Sequence, residues 1–367
     1  MKKCGEFCRR HRAALVLLGV GVGALCLFWA ARGNRLWMDW WLEGVSMPLK
    51  RAFSAVVDPL PFSACEAGAT ALILLELALL ARAIWQAVRR HKNTLAAWAL
   101  HLCTLLVCRY AAVCALWGTQ YYGTTFAEKA GMGAPPITVA ALQTVTDYFT
   151  AQVNAAAVAV PRDENENFAV DKAEIFAASA ATYDALLAEY PFLAGAQRTP
   201  KPAFYSKIMS AAGFTGYLCP LFGESTLNVD CPAVFLPATI THELAHQRGV
   251  AAEQEANYVG VRAAVSSGQA AYVYSGWLFG YLHLSNALYT AAPEAATQNY
   301  AALCSAARAD LAQNNAYWAA WEGPAQAVGE RVYTNFLQGY GQELGMQSYG
   351  ACVDLLVEYY LPQAQAQ

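Results

Sequence analysis

Residues 237–257 read "PATITHELAHQRGVAAEQEAN" and contain two of the chain's six histidines. The segment follows a plausible strand, and its pattern predicts a helix, a tight turn and a second helix. Thr239 or Thr241 is placed to cap the first helix. Gly249, three residues after His246, is a natural helix stop. The ionisable residues of this segment are therefore expected to be carried by two consecutive helices.

The first helix carries the pattern His242-Glu243-x-x-His246. Residues four apart share one face of a helix, so both imidazoles can reach one Zn²⁺ at about 2.0–2.1 Å. Glu243 then lies beside the metal without binding it, where a carboxylate can act as the general base for a zinc-activated water. His-Glu-x-x-His is the spacing of zinc peptidases, and it predicts a zinc site here.

A catalytic zinc needs a third protein ligand and one open position. The second helix carries Glu253 and Asn257 on one face, whereas Glu255 points elsewhere. We expect Glu253 to be the third ligand and Asn257 to hold a ligand by hydrogen bonding. Glu255 is the alternative ligand, and a solvated helix face is the ordinary role of either glutamate.

The composition predicts that part of the chain lies in a lipid bilayer. Hydrophobic residues make up 57% of the sequence and charged residues 14%, against about 25% charged in soluble domains. Three apolar windows, at about 13–31, 64–85 and 94–117, are each close to the roughly 20 residues that cross a membrane. The first window exceeds the apolar core of about 7–15 residues in a secretory signal peptide, the rival interpretation, so an uncleaved anchor is expected. Residues 1–118 are therefore predicted to form a membrane domain.

Basic residues predict the orientation of these spans, because Lys and Arg are enriched in cytoplasmic segments. They precede the first window and fill the turn between the second and third windows: Lys2, Lys3, Arg9, Arg10, Arg12, Arg89, Arg90 and Lys92. The chain is thus expected to be a multi-pass protein of the cell membrane with an extracytoplasmic domain at 119–367. The net charge of −3 gives no reason to expect a nucleic-acid partner.

The part after the spans is predicted to be mostly α with a small β-sheet, an α+β domain. Helices are expected at 137–160, about 170–190, 268–291, 295–320, 325–340 and 351–361. Gly and Pro punctuation in 213–237 predicts two or three short strands. Within it, "GESTLNVD" (223–230) is best suited to pair with an extended substrate as an edge strand. Tyr274 and His283 are candidate oxyanion donors, although each is more often a core residue.

Four of the eleven cysteines, Cys219, Cys231, Cys304 and Cys352, lie in the part expected outside the membrane. An oxidising compartment would permit bridges there, with Cys219 and Cys231 the favoured pair because they flank a possible hairpin. Four free thiols are the equally weighted alternative.

The block "HELAHQRGVAAEQEAN" resembles the gluzincin type of zincin metallopeptidases, whose second element is Glu-x-x-x-Asp or Glu-x-x-Ala-Asn. That resemblance implies a zincin-like fold and makes Glu253 a zinc ligand. One departure is that only six residues separate His246 from Glu253. This spacing is closer to the metzincins, in which the third ligand is a His. Ala252 occupies the corresponding position and cannot bind zinc, so Glu253 has to reach the metal across the turn at Gly249.

Nearly the whole chain resembles the bacterial family called domain of unknown function 3810. The resemblance rests on the three apolar windows and on the blocks "WGTQYYGTTFAEKAG", "PLFGESTLNVD", "THELAHQRGVAAEQEAN", "YSGWLFGYLHLSNALY" and "SYGACVDLL". It implies a zinc-peptidase-like protein without an established substrate.

The combined pattern predicts a membrane-anchored zinc metallopeptidase that hydrolyses peptide or protein substrates. An intramembrane protease would need its zinc motif inside a long apolar span, and the residues around His242 are too polar for one. The other alternative is a non-catalytic sensor or scaffold with a structural or vestigial zinc site. The presence of Glu243, which neither binds metal nor packs in that alternative, favours catalysis.

Overall fold

The chain divides into two compact units in a computed structural model that describes residues 2–89, 91–133, 137–195, 198–340, 342 and 352–367. The first unit comprises the residues up to Phe53 together with Ala64–Gly123 and Pro220–Phe222. The second unit comprises Ser54–Ser63, Thr124–Cys219 and Gly223–Gln367.

The segment 54–63 belongs to the second unit because side chains of that unit hold it. Nζ of Lys201 donates hydrogen bonds to the carbonyl oxygens of Asp58 and Leu60, each at 2.5 Å. Oγ of Ser63 donates to Oε1 of Glu224 at 2.7 Å. The sequence alone assigned this segment to the membrane domain.

Among its described residues, the first unit contains three helices that are long and apolar enough to cross a membrane: α2 (Arg12–Ala31), α5 (Ala64–Val88) and α6 (Thr94–Leu116). At most 17% of the residues in their most apolar windows are buried, so most of these side chains face outward, as they must in lipid. The prediction of three apolar N-terminal helices is confirmed. The unit also contains α1 (Lys2–Arg10), α3 (Arg35–Trp41), a π-helix (Leu42–Ser46), most of α4 (Met47–Val57) and a 3₁₀ turn (Gly118–Tyr121).

Helices α2 and α6 pack closely because Gly21 has no side chain. A Cβ atom at Gly21 would lie 3.0 Å from Cγ1 of Val107 and 3.2 Å from Sγ of Cys108. Oγ1 of Thr104 donates to the carbonyl oxygen of Ala14 at 3.3 Å. Apolar helices pair in this way because small residues let their backbones approach closely and hydroxyl groups form hydrogen bonds between them.

The second unit is a helical domain with a small sheet, which confirms the predicted mostly α class. Its helices are α7 (Phe126–Ala130), α8 (Val139–Ala157), α9 (Lys172–Ala178), α10 (Asp184–Glu189), α11 (Ser206–Ala211), α12 (Leu236–Gln247), α13 (Glu253–Ser266), α14 (Ala270–Ala291), α15 (Pro293–Ala302), α16 (Ser305–Ala319), α17 (Pro324–Gly339) and α18 (Cys352–Gln365). Short 3₁₀ turns lie at Ser179–Ala181, Pro191–Leu193 and Ala233–Phe235.

Helix α14 is the centre of this unit. It packs against α8, α12 and α13, and a Cβ at Gly280 would clash with the ring of Phe149. The expectation of a buried core helix at 268–291 is confirmed. Two other predicted helices are interrupted: 170–190 breaks between α9 and α10, and 295–320 breaks between α15 and α16. Residue 351, in the predicted helix 351–361, lies outside the described residues.

The sheet has three short strands in the order β1 (Lys201–Pro202), β3 (Ser225–Leu227), β2 (Gly216–Leu218). β1 runs parallel to β3, and β2 runs antiparallel to it. The expected edge strand within 223–230 is therefore wrong, because β3 is the central strand and pairs on both sides. The edge that follows α11 is β2.

Within the described residues, no disulfide joins the four cysteines expected outside the membrane, Cys219, Cys231, Cys304 and Cys352. The favoured Cys219–Cys231 bridge is therefore not formed. Burial raises the pKa of Cys231 to about 11, so its thiol stays protonated at neutral pH.

Candidate metal centre

Helix α12 begins earlier than the sequence predicted. It starts at Leu236 with Pro237 in its first turn, a position that needs no backbone N–H donor. Thr239 and Thr241 therefore lie inside the helix, and their hydroxyls donate to the carbonyls of Phe235 and Ala238, each at 2.9 Å. The predicted capping role of these two threonines is wrong.

The turn after α12 depends on Gly249. Its φ of +92° lies in the left-handed region, which glycine enters without a steric penalty. The helix ends at Gln247, and α13 begins at Glu253. The predicted helix stop at Gly249 is confirmed.

A second glycine brings α13 against the histidine face of α12. A Cβ at Gly260 would lie 2.9 Å from the backbone N of His242 and 3.0 Å from its Cα. Such a close approach of two backbones is possible only because this position has no side chain. It places the first turn of α13, which begins with Glu253, beside the imidazoles of α12.

Three predicted ligands meet at this junction. One ligand atom from each of His242, His246 and Glu253 lies within 4.8 Å of the others, and all three residues are buried. Nε2 of His242 is 3.3 Å from Oε2 of Glu253, and Nε2 of His246 is 3.7 Å from Oε1 of Glu253. Two imidazoles and one carboxylate are a donor set that catalytic zinc sites use.

Hydrogen bonding orients one imidazole for metal binding. Nδ1 of His246 lies 2.6 Å from the carbonyl oxygen of Val250. A carbonyl oxygen only accepts hydrogen bonds, so Nδ1 carries a proton, and in the neutral ring Nε2 keeps its lone pair. That lone pair is the one a metal needs, and the backbone bond fixes both tautomer and ring orientation.

The charges at the junction also fit a cation. Burial by itself would raise the pKa of Glu253, but His242 and His246 lower it to about 2, so the group is a carboxylate. Burial would lower the pKa of His242, whereas its interaction with Glu253 raises it. Within the described residues, Oε2 of Glu253 and Nδ1 of His242 have no hydrogen-bond partner. Buried polar atoms without partners are costly, and a bound metal would satisfy the carboxylate oxygen.

Glu243 lies beside this group of donors but is not a member of it. Its side chain is buried, and Oε2 has no hydrogen-bond partner in the described part of the chain. Burial raises its pKa to about 8, while the neighbouring His242 acts in the opposite direction. Oε1 would lie 2.9 Å from a Cβ at Gly216, so the carboxylate faces strand β2.

The structure separates Glu253 from the alternative ligand, Glu255. Both oxygens of Glu255 accept hydrogen bonds from the first turn of α7, from N of Phe126 at 3.0 Å and from N of Ala127 at 2.9 Å. Glu255 therefore caps another helix and does not join the metal donors. Asn257 is buried and lies close enough to His242 to raise its pKa.

The two candidate oxyanion donors, Tyr274 and His283, make their contacts with residues other than the metal donors. The hydroxyl of Tyr274 donates to Oδ2 of Asp310 at 2.5 Å, in a buried cluster with Arg162. The ring of His283 packs against Phe279, with centroids 4.7 Å apart. Tyr274 is thus a buried core residue, and His283 is a partly buried residue that packs on its own helix.

One site residue was missed by the sequence analysis. Tyr333, on α17, donates a hydrogen bond from its hydroxyl to Oε1 of Glu253, 80 residues away along the chain. Its ring packs edge-on against Phe214, with centroids 5.6 Å apart. The chain contains twenty tyrosines, and no motif or spacing distinguishes this one.

No curated protein and no solved structure matches the chain. A family model described as "Protein of unknown function (DUF3810)" matches residues 42–357, a range that includes α5, α6 and the candidate metal centre. Because the matched residues make up most of the chain, the chain belongs to the DUF3810 family.

Proposed function

We propose that this protein is a membrane-anchored, zinc-dependent metallopeptidase in which Glu243 is the general base. The observation that carries the proposal is the meeting of His242, His246 and Glu253 within 4.8 Å, with the buried carboxylate of Glu243 beside them. A group made only for packing would not need four ionisable side chains in one buried place.

Zinc is the cation that this donor set suits best. His242, His246 and Glu253 would hold it and leave one position open, as catalytic sites require. When bound, zinc would lower the pKa of a water molecule and polarise the scissile carbonyl.

The proton transfers belong to Glu243. Its Oε2 atom, which has no hydrogen-bond partner within the described residues, is available to take a proton from the attacking water. The same oxygen can return that proton to the leaving amine as the peptide bond breaks. Burial raises the pKa of this group to about 8, and a cation bound beside it would lower that pKa and favour the ionised carboxylate, the form that accepts a proton.

The substrate class that fits is an extended peptide or protein segment. Strand β2 lies at an edge of the sheet, and Gly216 in this strand faces Glu243. An extended chain can add to a sheet edge through main-chain hydrogen bonds. β2 thus replaces the segment 223–230 as the proposed substrate-pairing strand.

We further propose that the spans lie in the cell membrane and that the second unit is extracytoplasmic. Two features support this orientation: the basic residues before α2, and those between α5 and α6. The partners would be the lipid bilayer and a polypeptide substrate, with no role for nucleic acid.

The test uses the full-length chain in detergent. Wild type is expected to hold about one zinc per chain and to cleave a denatured protein substrate. Glu243→Gln should keep the zinc and lose cleavage, because an amide cannot accept the water's proton. Glu255→Gln is the matched control, another buried glutamate of the same region, and it should keep both properties.

Either of two results would contradict the proposal. If Glu243→Gln still cleaves the substrate, Glu243 is not the general base. Wild type without zinc would leave a sensor or scaffold whose histidines only pack.

A further inference from the structure

The two oxygens of Glu253 have different surroundings. Oε1 accepts the hydrogen bond from the hydroxyl of Tyr333 and lies 3.7 Å from Nε2 of His246. Oε2 lies 3.3 Å from Nε2 of His242, and in the described part of the chain it has no hydrogen-bond partner. Oε1 is therefore the oxygen that the hydroxyl of Tyr333 holds, and Oε2 is the oxygen that faces His242.

We infer that Tyr333 is a positioning residue that makes Glu253 a one-oxygen metal ligand. A hydroxyl bonded to an ionised carboxylate forms a short, strong hydrogen bond and takes up charge density on the oxygen that accepts it. With Oε1 held in this way, Glu253 presents Oε2 to the metal and leaves another coordination position open. The inference rests on the metal site of the proposed function, and it does not depend on peptide hydrolysis.

The position of Tyr333 is set by the way α17 docks. A Cβ at Gly329 would clash with the carbonyl oxygen of Ala212, so the helix touches the backbone at this point. One turn further along α17, the ring of Tyr333 packs edge-on against Phe214 and stacks near Phe336. The segment 212–214 leads directly into β2, the strand that faces Glu243. Contacts with that segment thus place the hydroxyl on Glu253.

A matched tyrosine provides the control. The hydroxyl of Tyr317, on α16, also donates to a carboxylate, Oδ2 of Asp230 at 2.8 Å. It lies 2.5 Å from Oγ of Ser210 as well. Tyr317→Phe removes a similar hydrogen bond in the same unit, but its partner carboxylate is not one of the metal donors.

The experiment measures metal binding by the full-length chain in detergent. Zinc affinity is obtained by competition with a chelator, and the ligand geometry from the visible absorption spectrum after Co²⁺ replaces Zn²⁺. Tyr333→Phe should weaken zinc binding by about 10–100-fold, the usual effect of losing a group that holds a ligand. Its Co²⁺ spectrum should also shift as Glu253 changes its mode of binding. Tyr317→Phe should keep the wild-type affinity and spectrum.

A second pair of variants moves the helix without touching the tyrosine. Gly329→Ala should lift α17 from Ala212 and weaken zinc binding in the same direction as Tyr333→Phe. Gly339→Ala, at the end of the same helix, is its control, because a Cβ there meets no atom within 4 Å. This pair decides the question if Tyr333→Phe does not fold.

The inference is overturned if Tyr333→Phe or a folded Gly329→Ala binds zinc as wild type does with an unchanged Co²⁺ spectrum. Normal metal binding with cleavage lost would also overturn it, because the hydroxyl would then act on substrate. A wild-type chain that binds no metal would refute the metal site itself. That result can be told apart from a failure of the inference about Tyr333, in which wild type binds zinc and Tyr333→Phe binds it equally well.

Discussion

Nε2 of His242 and Oε2 of Glu253 lie 3.3 Å apart, although the two residues are eleven positions apart in the sequence and lie on two different helices, α12 and α13. The contact forms because Gly249 reverses the chain and because Gly260 lets α13 touch the backbone of α12 at His242. The short spacing between His246 and Glu253, a departure from the gluzincin pattern, is therefore compatible with a common donor group.

Replacing Gly260 with alanine should separate the two helices. The new Cβ would lie 2.9 Å from a backbone nitrogen, which cannot rotate away as a side chain can. We expect the free energy of unfolding to fall by about 1–3 kcal/mol and zinc affinity to fall with it. Chemical denaturation and chelator competition measure the two effects. Gly339→Ala should change neither, and normal zinc affinity in Gly260→Ala would contradict the proposed role of this contact.

Replacing Gly216 with alanine should affect chemistry more than metal binding. Its Cβ would lie 2.9 Å from Oε1 of Glu243 and 2.9 Å from Cδ1 of Leu227, so the carboxylate has to move. A displacement of about 1 Å in a catalytic group costs on the order of 100-fold in rate. We therefore expect cleavage to fall about 10–100-fold while zinc content stays at the wild-type level. Equal loss of zinc and cleavage would show that Gly216 supports the fold instead.

Removing the metal should destabilise the second unit. A ligand that binds only the folded state stabilises it by about 4 kcal/mol when its concentration is 1,000 times Kd. Chelator should therefore lower the apparent Tm of wild type, and added zinc should restore it. His242→Ala lacks one of the three donors, so its Tm should respond little to either addition. An identical response of the two proteins would argue against zinc binding at this group.

The free energy of unfolding at acidic pH should depend on Glu189. Partial burial alone would raise the pKa of Glu189, but hydrogen bonds from Arg262 hold it below the ordinary value of 4.5. Nη2 of Arg262 lies 2.6 Å from Oε2 of Glu189, and Nη1 lies 3.2 Å from Oε1. A lowered pKa in the folded state means that the ionised pair stabilises the protein at higher pH. That contribution is lost as the pH falls through the folded-state value.

We therefore expect the free energy of unfolding of wild type to decrease below about pH 4.5 more steeply than that of Glu189→Gln. Denaturation at a series of pH values, with chelator present to exclude effects of the metal donors, makes the comparison. Parallel curves for the two proteins would mean that this ion pair adds nothing to the acid sensitivity.

Local patterns predicted a large part of the fold. The apolar windows, the helix at 137–160 and the buried helix at 268–291 correspond to α2, α5, α6, α8 and α14. Helix periodicity and uninterrupted apolar length depend only on neighbouring residues, so the sequence contains them directly. The interruptions at Ser179–Ala181 and between α15 and α16 were missed because distant side chains bind the backbone there: Gln269 donates to the carbonyl oxygen of Ala178 at 2.9 Å, and Asn154 accepts from N of Cys304 at 2.7 Å.

The strand order could not be predicted in the same way. β1 consists of only Lys201 and Pro202, too short for any alternating pattern, and it pairs with residues 226 and 227. Without it, 225–227 looks like an edge strand. With it, the same residues become the centre of the sheet, and β2 becomes the edge beside Glu243.

The sequence by itself determined the pair of histidines, the glutamate between them and the turn at Gly249, because all four depend on spacing within one helix and its end. It also identified Glu253 as a candidate from its place on the next helix. Only the tertiary structure separated Glu253 from Glu255 and brought Tyr333 to Glu253. Those relations join α13 to α7 and to α17, elements far apart in the chain, and packing between such elements leaves no periodic trace in the sequence.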